Sequence, residues 1–174
     1  MSLKYDLFKG ARIQKMKSVF NIKETYKHAK EWLEYWRYDV VEKRYKHKET
    51  ISGREIEIIW NCTREIDEYT QFMLNIRWLC LMIKDIKVQV GNKKITMQHG
   101  EINVFVDAYL VLDWQNKWEE SAVLKFLRSF FEKYLYHGHI QSLKEQLWKE
   151  GWAFYNEMKA YLSMHEFELK EGMT

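Results

Sequence analysis

A chain of 174 residues, 47% apolar and 30% charged, has the size and balance of one globular domain and excludes a disordered polymer. Its 2 cysteines exclude a disulfide scaffold. With 7 glycines and neither GxGxxG nor GxxxxGK[ST], it lacks the usual phosphate loops, so no nucleotide cofactor is expected. The net charge of +3 is unevenly divided: Met1–Arg54 holds 14 Lys/Arg against 7 Asp/Glu and the remainder 14 against 18, an asymmetry that admits a nucleic-acid- or membrane-facing end.

In chain order, Leu7–Phe20 alternates poorly, and its lysines suit a short edge strand. Asn21-Ile22-Lys23-Glu24 has the spacing of a capping box and opens a helix. Ile22, Tyr26, Ala29, Leu33 and Trp36 share its apolar face, and the helix should end near Tyr38. Tyr38–Lys48 reads as a strand. Its run Lys43-Arg44-Tyr45-Lys46-His47-Lys48 interleaves cations with a ring, as single-stranded nucleic acid would require. Glu42 and Glu49 flank it and no nucleic-acid motif is present, so a basic edge that resists aggregation is the expectation, with nucleic acid an unlikely partner.

Ser52-Gly53 turns the chain into Arg54–Thr63, which places Ile56, Ile58, Trp60 and Cys62 on one face. Thr70–Ile83 repeats the pattern with Phe72, Leu74, Ile76, Trp78, Cys80 and Met82, and sets Asn75 and Arg77 opposite. Its apolar run is too short and too interrupted for a membrane helix, so no membrane insertion is expected. Asp85–Val90, a Gly91-Asn92 turn and Lys94–Gln98 form a hairpin. Gly100–Trp114 is the longest alternating stretch. Ile102, Val104, Val106, Ala108, Leu110 and Leu112 make a dry face, and Glu101, Asn103, Phe105, Asp107 and Tyr109 a mixed one.

A helix is expected from Glu119 to about Tyr136, closed by His137-Gly138-His139 with Gly138 as a left-handed cap. Ser142-Leu143-Lys144-Glu145 then opens a last helix, buried through Leu143, Leu147, Phe154, Met158 and Leu162. Gly151 falls within that stripe, where glycine suits either close approach of the helix backbone to the sheet or a bend in the helix.

The fold class is therefore α+β: a curved antiparallel sheet of about five to seven strands packed against a long C-terminal helix. The order of elements resembles the helix-grip architecture of the START-like and polyketide-cyclase-like proteins. That resemblance implies a sheet wrapped on the last helix and assigns no residue a role.

Function is read from the two sheet faces. Trp60 and Trp78, beside Cys62 and Cys80, are candidates to line a pocket for an apolar small molecule beneath the C-terminal helix. Phe105, Asp107 and Tyr109 mix rings and charge on the other face and are candidates for a partner surface, including a homodimer. Binding without catalysis is the leading expectation. The alternatives are an enzyme on a small apolar substrate, with Asp107 or Glu101 as base and an Arg77–Asp107 pair across strands, and a nucleic-acid-associated protein using the basic N-terminal third. His137 and His139 are weighed as metal ligands and set aside as helix-terminal histidines, so no metal is expected. Buried free thiols and no signal peptide point to the cytoplasm.

Overall fold

The computed structural model describes residues 3–90, 92–116 and 137–171. Five strands form one open antiparallel sheet: β1 (Leu3–Phe20), β2 (Asp39–Thr50), β3 (Gly53–Glu65), β4 (Thr70–Val90) and β5 (Lys93–Leu112). Their order is β1-β5-β4-β3-β2. Helix α1 (Ile22–Tyr35) joins β1 to β2, and helix α2 (His137–Glu171) lies against β1, β5 and α1. The helix expected over Glu119–Tyr136 lies outside the described residues. No described helix is long and apolar enough to cross a membrane.

The alternating apolar residues do what their period requires as far as Cys80; Met82, expected on the same face, is exposed and Ile83 is buried instead, because the bulge there shifts the parity. Ile56, Ile58, Trp60 and Cys62 of β3 face the same side as Phe72, Leu74, Ile76, Trp78 and Cys80 of β4. With Ile102, Val104, Val106, Ala108, Leu110 and Leu112 of β5 they form one buried layer. Helix α2 lays Leu143, Leu147, Phe154, Met158 and Leu162 on it. Gly151 makes that approach feasible: a β-carbon there would stand 2.7 Å from the Phe8 ring and 3.6 Å from the Ala108 side chain. Asn21 caps α1 by accepting the Glu24 amide at 3.2 Å, and Ala29 and Leu33 enter the core.

Strand length departs from the expectation. Asp85–Val90 continues Thr70–Ile83 as one strand of 21 residues, and Lys94–Gln98 continues into Gly100 as one of 20. The joins are bulges, which bend a strand without ending it. They line up across the sheet: Lys15/Ser18 in β1, Leu81/Lys84 in β4 and Arg54/Ile56 in β3, with Gly100 of β5 between the first two. Lys17 and Met82 take left-handed conformations there, with φ of 49° and 53°. Bulges also explain why β1 alternates poorly. Each inserted residue switches which parity faces the core, so Ile13 and Phe20 can both be buried.

The last helix is also corrected. His137-Gly138-His139 is helical rather than a break, and Ser142 lies inside the same helix. Gly138 is not left-handed. The Ser-x-x-Glu spacing at Ser142 is a local pattern that helix continuity overrides. His137 and His139, two apart on a helix, project about 200° apart and cannot close on one ion.

Candidate functional site

The site that stands out was not among the sequence candidates. It begins with the end of α1. The Arg37 amide bonds to the Glu34 carbonyl and the Tyr38 amide to the Leu33 carbonyl, both at 2.9 Å, while Arg37 turns left-handed at φ 63°. This closing turn swings Tyr38 into the core, where 2% of it is exposed. Its hydroxyl donates to Glu150 Oε2 at 2.8 Å.

Glu150 sits on the buried stripe of α2, one turn beyond Leu147. Its other oxygen accepts from Arg64 Nη2 at 2.8 Å and from Gln146 Nε2 at 2.9 Å. Arg64 is on the inner face of β3, two residues past Cys62, opposite Phe72. It forks: Nη1 donates to the Trp36 carbonyl at 2.8 Å, at the negative C-terminal end of α1. Its guanidinium lies 5.0 Å from the Tyr38 ring centre and 5.1 Å from that of Phe72. Burial, then the Glu150 carboxylate, pushes the Tyr38 phenol far above its ordinary range. One carboxylate thus ties α1, β3 and α2 together, with all its donors accounted for.

In front of this network opens a groove of about 690 Å³. Tyr35, Trp36 and Arg37 form one wall, Thr63, Arg64 and Ile66 the floor, and Gln146 the α2 side. Its lining mixes the charged Asp39, Arg64 and Glu65 with the rings of Tyr35 and Trp36 and with Ile66. Trp36 is half-exposed there, and its ring packs against Trp32 at 5.4 Å between centres.

The sequence candidates fall elsewhere. Trp60 and Trp78 are buried side by side, edge to face at 5.3 Å, with Tyr26 on the far side of Trp60 at 4.6 Å. Their indole N–H groups have no hydrogen-bond partner among the described residues. Neither ring lines the groove. Burial pushes the Cys62 and Cys80 thiols up to about 12.

The mixed face of β5 is organised by its neighbours in the chain. Phe105 lies between two guanidinium groups, Arg77 at 4.5 Å and Arg12 at 5.4 Å. Lys4 stands 3.6 Å over the Tyr109 ring. Asn103 is buried; its side-chain oxygen accepts from Arg12 and its amide donates to Glu101 at 2.9 Å. The Asn103 and Gln14 bonds, with Arg12 nearby, hold the Glu101 carboxyl below its usual range. Asp107 accepts from the Gly10 amide at 2.6 Å, in the β1 bulge. The expected Arg77–Asp107 pair is replaced: the register sets Arg77 opposite Phe105 and Asn75 opposite Asp107.

On β2 the basic run is countered by its partner strand. Lys46 and Lys48 stand opposite Glu57 and Glu55, and Arg44 reaches Glu57 at 3.6 Å. Across the whole chain, no known protein family, curated protein or solved structure matches.

Arg64 and Glu150 each carried a signal. The alternation Ile58, Trp60, Cys62 runs on to Arg64, and the spacing Leu143, Leu147, Phe154 includes position 150. A charged residue at a core position of one element needs an opposite charge from another, and here the two meet.

Proposed function

We propose that this protein acts by binding rather than by catalysis, and that it holds a small amphipathic molecule in the groove at the end of α1. The observation that carries this reading is the groove itself, of ligand size, with a wall fixed from behind by the Tyr38–Glu150–Arg64–Gln146 network. Trp36, Tyr35 and Ile66 offer contact area, and Arg37 and Gln146 offer polar contacts at the rim. The mixed lining favours a ligand with an apolar body and a polar group over the wholly apolar one expected from Trp60 and Trp78.

The direction of the perturbed groups supports binding over catalysis. A nucleophilic thiol needs a lowered pKa and a general base a raised one. Cys62 and Cys80 are displaced upward and Glu101 downward, each away from reactivity. The strand order with α2 across the inner face supports the helix-grip reading of the fold, in which the space beside the last helix takes the ligand.

The test uses the amphipathic sulfonate 1-anilinonaphthalene-8-sulfonate with the folded chain. Saturable fluorescence enhancement that falls at least about tenfold in affinity in Trp36→Ala, with circular dichroism unchanged, is expected. Absence of saturable binding, or equal affinity in that variant, overturns the reading.

A further inference from the structure

The band of bulges builds a second site at the opposite end of β3. There the turn residue Ser52, the left-handed Lys17 and Met82, Lys84, His99 and Gly100 line an open surface pocket of about 260 Å³. Three nitrogen-bearing side chains arrive from three strands. Lys84 and His99 are direct cross-strand partners, and Lys17 enters from the β1 bulge beside Gly100. Lys17 and Lys84 bring two ammonium groups to one pocket, and like charges gathered this way repel unless something of the other sign lies between them.

Among the described residues, neither Lys17, Lys84 nor His99 makes an ion pair. The carboxylates close in sequence are committed elsewhere. Asp85 holds Arg54 and Gln98, and Glu101 holds Gln14 and Asn103. The backbone conformation adds to the case. Lys17 and Met82 both sit in the left-handed region where non-glycine residues are strained, and strain of this kind clusters at ligand sites.

We propose that this pocket binds a phosphate-type oxyanion. Two ammonium groups supply charge, the His99 ring and the Ser52 hydroxyl supply donors, and the missing side chain of Gly100 lets the Leu81–Ile83 backbone of β4 come close beneath them. The volume suits one phosphoryl group with its first waters rather than a nucleotide. The phosphoryl group comes either from a free phosphate or from a lipid headgroup.

The experiment follows backbone amide resonances of the full chain during titration with inorganic phosphate, against sodium chloride at equal ionic strength. Saturable shifts at Met82, Lys84 and Gly100 with phosphate alone are expected. Lys17→Gln and Lys84→Gln should each weaken them by about fivefold or more, the factor for one Coulomb contact near 4 Å in water. A parallel arm measures sedimentation with phosphatidylcholine vesicles, with and without phosphatidic acid. Binding to phosphatidate vesicles that either substitution weakens, without a response to free phosphate, assigns the headgroup as the source. Identical shifts with chloride, unchanged affinity in both variants, or no response in either arm overturns the proposal. Because Ser52 and Thr63 stand at opposite ends of β3, its failure leaves the α1 groove untouched, and the reverse holds.

Discussion

Replacing Arg64 by alanine should cost more stability than any single surface change in this protein. The variant leaves Glu150, 5% exposed, with only two neutral donors, Tyr38 and Gln146. It also removes the bond to the Trp36 carbonyl and the stacking over Tyr38 and Phe72. Breaking a buried pair by deleting one partner costs about 3–5 kcal/mol. Water reaches part of the Arg64 side chain, which is 14% exposed, so the lower end, about 3 kcal/mol, applies. For a chain of this length that is a fall in Tm of about 6–12 °C. The assay is urea unfolding followed by tryptophan fluorescence, with an unchanged m-value confirming that stability and not compactness has moved. The companion Arg64→Met/Glu150→Leu removes both charges and should return to within about 1–2 kcal/mol of the parent, since a buried pair and a packed apolar pair are nearly equivalent. The reasoning fails if Arg64→Ala costs under about 1 kcal/mol, or if the two single costs simply add in the double variant.

Three further outcomes follow from the same contacts. Gly53→Ala should lose about 2–3 kcal/mol, because φ is 137° and the new β-carbon would meet Met82 and Ile83 backbone atoms at 2.8 and 2.9 Å; urea midpoints check it, and a neutral result removes the close-approach argument. Phe105→Ser should cost about 1–3 kcal/mol by loss of ring burial and of two guanidinium contacts; unchanged stability together with dissociation of an oligomer in light scattering would instead make this face a partner surface. Cys62 and Cys80 should resist thiol reagents at pH 8 in the folded state. Their folded pKa of about 12 lies above the unfolded value of 9.0, so their contribution is complete below pH 9 and is lost as pH rises from 9 toward 12. The slope is about 1.4 kcal/mol per pH unit for each thiol, and Cys80→Ala should flatten it.

Much of this molecule follows from local chemistry. Alternation from Ile102 to Leu112 and from Ile56 to Cys62 forces a sheet with one dry face, whatever else the chain does. Asn21 and Glu24 start α1, and Gly151 in an apolar stripe marks where a helix touches a strand. Those are effects of residues on their near neighbours, and they survive being read one segment at a time. Which strand ends merge across a bulge is different. The breaks at Leu81/Lys84 and Lys15/Ser18 depend on hydrogen bonds from adjacent strands, so Thr70–Val90 looks like two elements until its partners are in place.

The candidate sites belong to the second kind. Arg64 and Glu150 are 86 residues apart, and each alone is an unexplained charge at a core position. Lys17, Lys84 and His99 are three ordinary polar residues until the register sets them around one pocket. Even the rings of the mixed face change meaning, since Phe105 and Tyr109 find their cover in cations from β1 and β4. The sequence by itself determined the period of each element and the residues it would bury, because those depend on backbone geometry common to all chains. Only the tertiary structure decided which charges meet, because electrostatic contacts act over a few ångströms and take no account of distance along the chain.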